Sequence, residues 1–372
     1  MGKKALYVAS IEAHFTHFHV PFLHMLCSHG YEVHTAAKGE NAISFVQCHF
    51  DIDFARSPYT WQNVRAYRRL KAIIEENDYD LIHCHTPMAS VLTRLAARKA
   101  RKRGTTVVYT AHGFHFYPGA PLVNRLVYQT VERLLAPNSD GLLLINQQDL
   151  QSAQRLHLCK GLIRQTHGVG VDAARYTPAS PQERQAARAA LDIPPDAFVM
   201  VYPAEYNDNK NQLLLLQAIV QLPELPLLAL LPGRGAEEEM LRDYIARHGL
   251  ASRARIMGYR SDIPVLLHAA DAGVSSSLRE GLGMHLLESM CSGLPIIASD
   301  IRGHQDLVVS GENGLLFPTN NARALADAID TLYQQPDLRV RMGAVSVQRT
   351  QAYHMVQTVA EMENIYHELD LL

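Results

Sequence analysis

Ser275-Ser276-Ser277-Leu278-Arg279-Glu280-Gly281-Leu282-Gly283-Met284-His285-Leu286-Leu287-Glu288-Ser289-Met290-Cys291-Ser292-Gly293-Leu294-Pro295 is the stretch around which the chain is organised. The apolar, strand-like run Ala269 to Val274 precedes it, and Pro295-Ile296-Ile297-Ala298 opens another strand after it. Between them, a small-residue loop with two glycines leads into a predicted helix, Met284 to Cys291, that stops at Gly293. A strand, a glycine loop and a helix N-terminus together make an anion site, because free N–H groups and the helix dipole face a bound phosphate. Two carboxylates, Glu280 in the loop and Glu288 two turns into the helix, are unsuited to phosphate and suited to accepting hydrogen bonds from sugar hydroxyls. Diphosphate beside sugar hydroxyls points to a nucleotide-sugar. Glycines alone would say less, since each can simply mark a tight turn.

Length and composition bound this reading. A chain of 372 residues exceeds one ordinary domain, so two cores are expected. A hydrophobic fraction of 47% and a charged fraction of 19% belong to a folded chain, not a disordered one. Cys27, Cys48, Cys84, Cys159 and Cys291 are scattered, odd in number and free of any CxxC pair, which favours reduced thiols and a cytoplasmic setting. No apolar run approaches the roughly 20 residues that span a bilayer. The short run after Lys3-Lys4 does not read as a signal peptide, and Leu6 stands where myristoylation wants Ser or Thr. The net charge of −2 hides an asymmetry: residues 1–175 hold 20 Lys and Arg against 13 Asp and Glu, and residues 176–372 hold 15 against 24. A basic N-terminal half suits an anionic partner such as a membrane surface or a lipid diphosphate, or else only solvates helix faces.

The N-terminal half begins with a short buried strand, Lys4 to Ser10, a histidine-rich loop from Glu12 to His19, a helix to about His29, and a second strand, Glu32 to Ala37. This βαβ start implies a parallel sheet with a right-handed crossover, but the GxGxxG dinucleotide fingerprint is missing. The histidines between His14 and His24 do not make a ligand set with Cys27, and no metal is expected. A loop after the first strand of such a domain faces the ligand cleft, which makes His14, Phe15 and His19 candidates for acceptor contacts. Asp51-Ile52-Asp53 and Asp78-Tyr79-Asp80 read as turn residues. Tyr59 to Lys71, with Trp61 and four basic residues, is either a membrane-facing amphipathic helix or a surface helix whose apolar side joins the core. Strands end at His83-Cys84-His85 and before Ala111-His112-Gly113-Phe114-His115, and Leu142 to Asn146 is a further strand; His83 and His85 read as structural. The Pro/Ala/Ser-rich Tyr176 to Pro181 reads as a linker.

The order of motifs resembles the retaining GT-B glycosyltransferases of family 4, and in particular bacterial exopolysaccharide and capsule glycosyltransferases. That family has a Glu, seven residues, a second Glu and then Gly-x-Pro, matched by Glu280, Glu288, Gly293 and Pro295. Further matches are Lys210-Asn211 in the loop after Phe198 to Tyr202, the Pro232-Gly233-Arg234-Gly235 loop, Gly258-Tyr259-Arg260-Ser261-Asp262-Ile263, and Gly168-Val169-Gly170-Val171-Asp172 between the domains. Glu205 departs from the pattern, standing where relatives carry an Arg that clasps the donor diphosphate. It is expected to pair Lys210 or contact acceptor, with Arg234 or Arg279 compensating.

The resemblance implies an α/β fold of the GT-B type, two Rossmann-like domains facing each other across a cleft: an acceptor domain over residues 1–175, a donor domain over 176–352 and a C-terminal helix over 353–372 crossing back to the first. It implies a retaining, metal-independent hexosyltransferase that moves an N-acetylhexosamine or hexose from a UDP-sugar to a lipid-linked or oligosaccharide acceptor. Catalytic candidates are His112, Glu280 and Lys210. Donor candidates are Glu205, Lys210, Asn211, Gly233, Tyr259, Arg260, Glu280, Gly281, Gly283, Met284, Leu286 and Glu288; acceptor candidates are His14, Phe15, His19, His115 and Asn146. No cofactor, metal or nucleic acid is expected; the partners are a nucleotide-sugar, an acceptor and an anionic membrane, at the inner face of the plasma membrane. A UDP-sugar epimerase and a non-catalytic nucleotide-sugar-binding protein are the alternatives.

Overall fold

The structure is a computed structural model and describes residues 2–40, 43–55, 57, 59–117 and 119–372. The chain forms two compact units, Met1–Gly170 with Met355–Leu372, and Val171–His354.

In the first unit, β1 (Lys4–Ile11), β2 (Glu32–Lys38), β3 (Cys48–Asp51), β4 (Leu81–His85), β5 (Thr106–Ala111), β6 (Gly141–Leu144) and β7 (Leu162–Gln165) pair in the order β3-β2-β1-β4-β5-β6-β7. Every pairing is parallel. A parallel sheet carries helices on both faces, so its strands are apolar on both sides. β1 shows this directly: Leu6 and Val8 join one core, Ala5, Tyr7 and Ala9 the other. The closing helix, Met355–Glu368, places Met362, Ile365 and Tyr366 in that second core. The Tyr366 hydroxyl lies 2.6 Å from the Tyr7 hydroxyl and 2.6 Å from Nδ1 of His83.

In the second unit, β8 (Phe198–Val201), β9 (Leu227–Leu231), β10 (Ala254–Ile256), β11 (Ala272–Ser275), β12 (Ile296–Ser299) and β13 (Gly314–Phe317) form a second parallel sheet, ordered β10-β9-β8-β11-β12-β13. Strand order reverses between β1 and β4 in one sheet and between β8 and β11 in the other. Open α/β sheets bind ligands beyond the C-terminal strand ends at such points. Each unit therefore carries one predisposed edge.

Some local expectations change. The histidine-rich segment is a helix, Ala13–Phe18, followed at once by Val20–Ser28, because Pro21 sits in the first turn, where its missing N–H costs nothing. Helix Trp61–Asn77 buries Ala66, Leu70, Ile73 and Ile74 on one face and leaves Trp61 81% exposed. Helix Leu122–Leu135, unremarked in the sequence, leaves Leu122, Val123, Leu126, Val127 and Leu134 exposed. Asp51 Oδ1 accepts from the Gly39 N–H at 3.1 Å, and Asp53 pairs with Lys38 at 3.1 Å, as turn-region carboxylates do.

Candidate functional site

At the β8/β11 edge, the loop after β8 and the loop after β11 are stitched together. Asn211 takes a left-handed φ of 51°, which an Asn tolerates, and the Lys210 N–H donates to Asn207 Oδ1 at 3.0 Å. The Leu278 N–H donates to Asn209 O at 2.7 Å, and Ser276 Oγ donates to Asn211 O at 2.7 Å. Lys210 Nζ then reaches Glu280 Oε1 at 2.5 Å, an ion pair that is mostly buried. The same carboxylate oxygen accepts from Ser277 Oγ at 2.8 Å. The Tyr202 hydroxyl donates to Lys210 O at 2.6 Å and sits 2.9 Å from Ser277 Oγ, so a buried tyrosine fixes both sides of the pair.

Helix Met284–Cys291 starts at Gly283, whose φ of 93° favours glycine, and no side chain caps it. Beneath the loop, Gly303 also takes a positive φ, and a Cβ there would stand 2.8 Å from Gly281 O. In the second turn of the helix, Glu288 is pushed up from the ordinary carboxylate range by burial, while the Tyr176 hydroxyl and Arg175 act in the opposite sense. His285 and His304 flank the pair as neutral imidazoles. Burial holds His285 well below its ordinary value and His304 at about 4, with the Lys210 charge adding to both. The arrangement offers one cation, N–H groups at a helix start and two carboxylates to a ligand with phosphate and hydroxyl groups.

Several expected donor residues are placed differently. Glu205 does not pair with Lys210; its exposed carboxylate accepts from Asn207 Nδ2 at 3.1 Å, because Lys210 is engaged by Glu280. Leu286 cannot offer its N–H, which donates to Gly283 O at 3.0 Å, and its side chain is fully buried. Arg260 is held by both oxygens of Asp262, at 2.7 and 2.5 Å. Tyr259 is 67% exposed, with the Arg234 guanidinium 5.8 Å from its ring centre. Gly233 lets two loops touch: a Cβ there would lie 1.9 Å from Ala204 O. Asn211 Nδ2 donates to Asn320 Oδ1 at 3.1 Å, and Met284 is half-buried at the helix start. Tyr202, Ser277, Tyr176, His285 and His304 were missed by sequence reasoning; they carry no charge signature, and all but Ser277, which bonds Glu280 within one loop, act through contacts distant in sequence.

The edge of the first unit differs more from expectation. Phe15 is fully buried in the core and is not available to an acceptor. Asn146 is likewise a helix cap: its side chain accepts from the Asp149 N–H at 2.8 Å and donates to Asp149 Oδ2 at 3.0 Å. His115 is half-buried with its ring 4.9 Å from that of Tyr128. His14, His19 and His112 instead converge with His85, one ring nitrogen of each lying within 4.8 Å of the others. Burial lowers all four, His14 to about 4 and His112 to about 3.

Comparison with known proteins follows the two units. Residues 4–146 match the family model described as "Glycosyl transferase 4-like", and residues 183–348 that described as "Glycosyl transferases group 1". The chain is 42% identical over 368 residues to "Putative glycosyltransferase EpsD" of Bacillus subtilis, covering 98% of this chain and 97% of that one. It is 25% identical over 326 residues to "UDP-Gal:alpha-D-GlcNAc-diphosphoundecaprenol alpha-1,3-galactosyltransferase" of Escherichia coli, covering 84% and 83%. Its fold matches Anabaena Alr3699/HepE, solved in complex with UDP, with a TM-score of 0.79 at 20% identity, over 98% of this chain and 100% of that one.

Proposed function

Because the chain belongs to the group 1 glycosyltransferases and is a glycosyltransferase of the GT-B fold, we propose that it moves a hexose or N-acetylhexosamine from a UDP-sugar, with retention of configuration, to a lipid-linked or oligosaccharide acceptor in polysaccharide assembly. The epimerase and binding-only alternatives fall with that membership. The Anabaena protein was solved with UDP, and the Escherichia coli relative is named for a UDP-Gal donor and a diphosphoundecaprenol-linked acceptor; this supports the donor and acceptor classes.

The observation that carries the reading is the Lys210–Glu280 pair between the two loops of the β8/β11 edge. A departing nucleoside diphosphate gains negative charge as the glycosidic bond breaks, and preorganised cations and N–H groups lower that barrier. Lys210 would exchange Glu280 for the diphosphate, aided by the N–H groups at the Gly283 helix start. The freed Glu280 would accept from sugar hydroxyls, and Glu288 from the ribose. Tyr259 would lie against the base. Transfer then proceeds without Mg2+ or Mn2+ on the diphosphate and by front-face attack, with no covalent intermediate. His112 would position the sugar, and His14 and His115 would meet the acceptor. The basic first half and the exposed apolar side chains of helices Trp61–Asn77 and Leu122–Leu135 suit peripheral contact with an anionic inner membrane face; among the described residues no helix is long and apolar enough to cross a membrane.

A thermal-shift screen with UDP, GDP and ADP and their sugars tests the donor, since a ligand that prefers the folded state raises the midpoint. UDP and one UDP-sugar should raise it. A response confined to GDP or ADP ligands would overturn the donor assignment. With the matching acceptor, the product's anomeric configuration should equal the donor's, and the rate should not change when Mg2+ or Mn2+ is added.

A further inference from the structure

His14 and His19 lie on the segment after β1, His85 ends β4 and His112 follows β5, so three separate stretches of chain bring four imidazoles to one sheet edge. Their six ring-centre separations run from 4.2 to 6.1 Å. A histidine that serves only to fill a core normally finds hydrogen-bond partners. His83, stacked on His85 at 4.4 Å, does so: Nδ1 meets the Tyr366 hydroxyl at 2.6 Å and Nε2 meets Thr110 Oγ1 at 2.7 Å. The quartet does not. Nε2 of His14, of His19 and of His85 is buried without a hydrogen-bond partner among the described residues, although His19 is 3% and His85 1% exposed.

Each unmade bond at a buried polar atom costs about 1–3 kcal/mol, and three together would be a heavy penalty on one sheet edge. A network of hydrogen-bonded histidines does not remove it, because among the described residues the contact between ring nitrogens of the quartet is His85 Nδ1 to His112 Nε2 at 3.3 Å, which leaves the three Nε2 atoms unpartnered. A group that accepts a lone pair from each ring would satisfy the unpartnered Nε2 of His14 and of His19 and would draw in His85 and His112. Two nitrogens bound to one tetrahedral zinc, at about 2.0–2.1 Å each, stand about 3.3–3.4 Å apart. The His85 Nδ1–His112 Nε2 separation already has that value, which would make Nδ1 the ligand atom of His85, and the other separations, up to 4.8 Å, would have to shorten by rotation of the rings. Burial keeps the imidazoles neutral, the form that ligates. An all-nitrogen set suits zinc, cobalt, nickel or copper and not magnesium or calcium.

We propose that His14, His19, His85 and His112 form a binding site for one divalent transition-metal ion of the zinc class. His14 and His112 are only half-buried, so the ion is reachable from solvent. Once bound, it would tie helix Ala13–Phe18 to the ends of β4 and β5 and fix the ring of His112. No metal is expected here from the sequence, because the histidines between His14 and His24 make no ligand set with Cys27, whereas these ligands lie 5, 66 and 27 residues apart in turn and no local spacing rule joins them.

The full-length protein, stripped with EDTA and desalted, should be titrated with Co2+ and followed by visible absorption. A ligand-field band saturating at about one ion per chain, bleached by Zn2+, is expected. His14→Gln and His112→Gln, at the half-buried positions, should each weaken Co2+ binding at least about tenfold with circular dichroism unchanged; His17→Gln, at an exposed position, should not. If the folded wild type gives no band, or if both quartet variants bind as tightly as the wild type, the site does not exist. UDP binding is measured on the same samples. Loss of metal with UDP binding intact leaves the donor assignment standing, and failure of UDP binding alone leaves the metal site standing.

Discussion

Lys210 and Glu205 lie five residues apart in one loop, yet their environments assign them different weights. A hydrogen bond to a charged group contributes about 1.5–3 kcal/mol, so Lys210→Ala should weaken UDP binding about 10- to 100-fold by calorimetry. Glu205→Ala, which removes an exposed carboxylate bonded, among the described residues, to Asn207, should change it less than about threefold. An equal loss in both variants would return Glu205 to the diphosphate. Buried histidines give a second test. The His304 ring, held at about 4 by burial, cannot take up the proton that the unfolded chain binds below about 6.5. Stability is therefore full above that pH and falls as pH drops toward 4, by on the order of 3 kcal/mol for this one group. His285 acts in the same sense; Glu288, pushed up by burial, acts in the opposite one. The melting temperature of His285→Leu should accordingly fall less steeply between pH 6.5 and 4 than that of the wild type. The positions of Lys210, Glu280 and Glu288 were legible because each sits within a short run of sequence. Tyr202 and Tyr176 were not legible as their partners, because they arrive from other elements; Ser277 lies in the same loop as Glu280, but nothing in its sequence marks it as a partner.

Among elements, helix Met284–Cys291 shows how backbone contact sets residue choice. Gly343, inside helix Pro336–Thr350, passes so close to the turn ending that helix that a Cβ would stand 2.1 Å from Gly293 O. Alanine in a helix interior normally gains about 1 kcal/mol over glycine, but forcing an atom into a packed site costs typically about 1–3 kcal/mol. Here the obstacle is a backbone carbonyl, which cannot rotate away, so Gly343→Ala should lower stability in urea denaturation. A stabilised Gly343→Ala would show that the two helices separate freely. The strands were legible for a related reason: β1, β8 and β9 are short continuous apolar runs, the pattern of a sheet covered on both faces. The Glu12–His19 segment reads as a loop in the sequence because its one short helix, Ala13–Phe18, has too few apolar positions to show a period; the helix that follows, Val20–Ser28, agrees with the expectation.

At the scale of the molecule, the first unit is assembled from both ends of the chain. Helix Met355–Glu368 is part of its core, and the Tyr31 hydroxyl and Lys3 Nζ donate to Leu371 O at 2.6 and 2.5 Å. Tyr366→Phe strips a partner from both Tyr7 and His83 and should cost about 1–3 kcal/mol, with faster hydrogen exchange in β1 and β4. Residues 171–354 expressed alone should fold and bind UDP, since that unit is one continuous segment. Residues 1–170 alone should be unstable to protease, and addition of a 355–372 peptide should protect them. Protection without the peptide would mean the closing helix is dispensable.

That divided core also sets an order of events during synthesis. A ribosome releases residues 171–354 before the closing helix, and at about 5–20 residues per second that interval lasts on the order of ten to forty seconds. Throughout it one apolar face of the nascent first sheet is only partly covered, by helix Val20–Ser28, while the segment being made can already fold behind it. The chain therefore meets its greatest exposure to chaperones and proteases in mid-translation, and a stalled or prematurely terminated message would yield a finished second unit attached to an unfinished first.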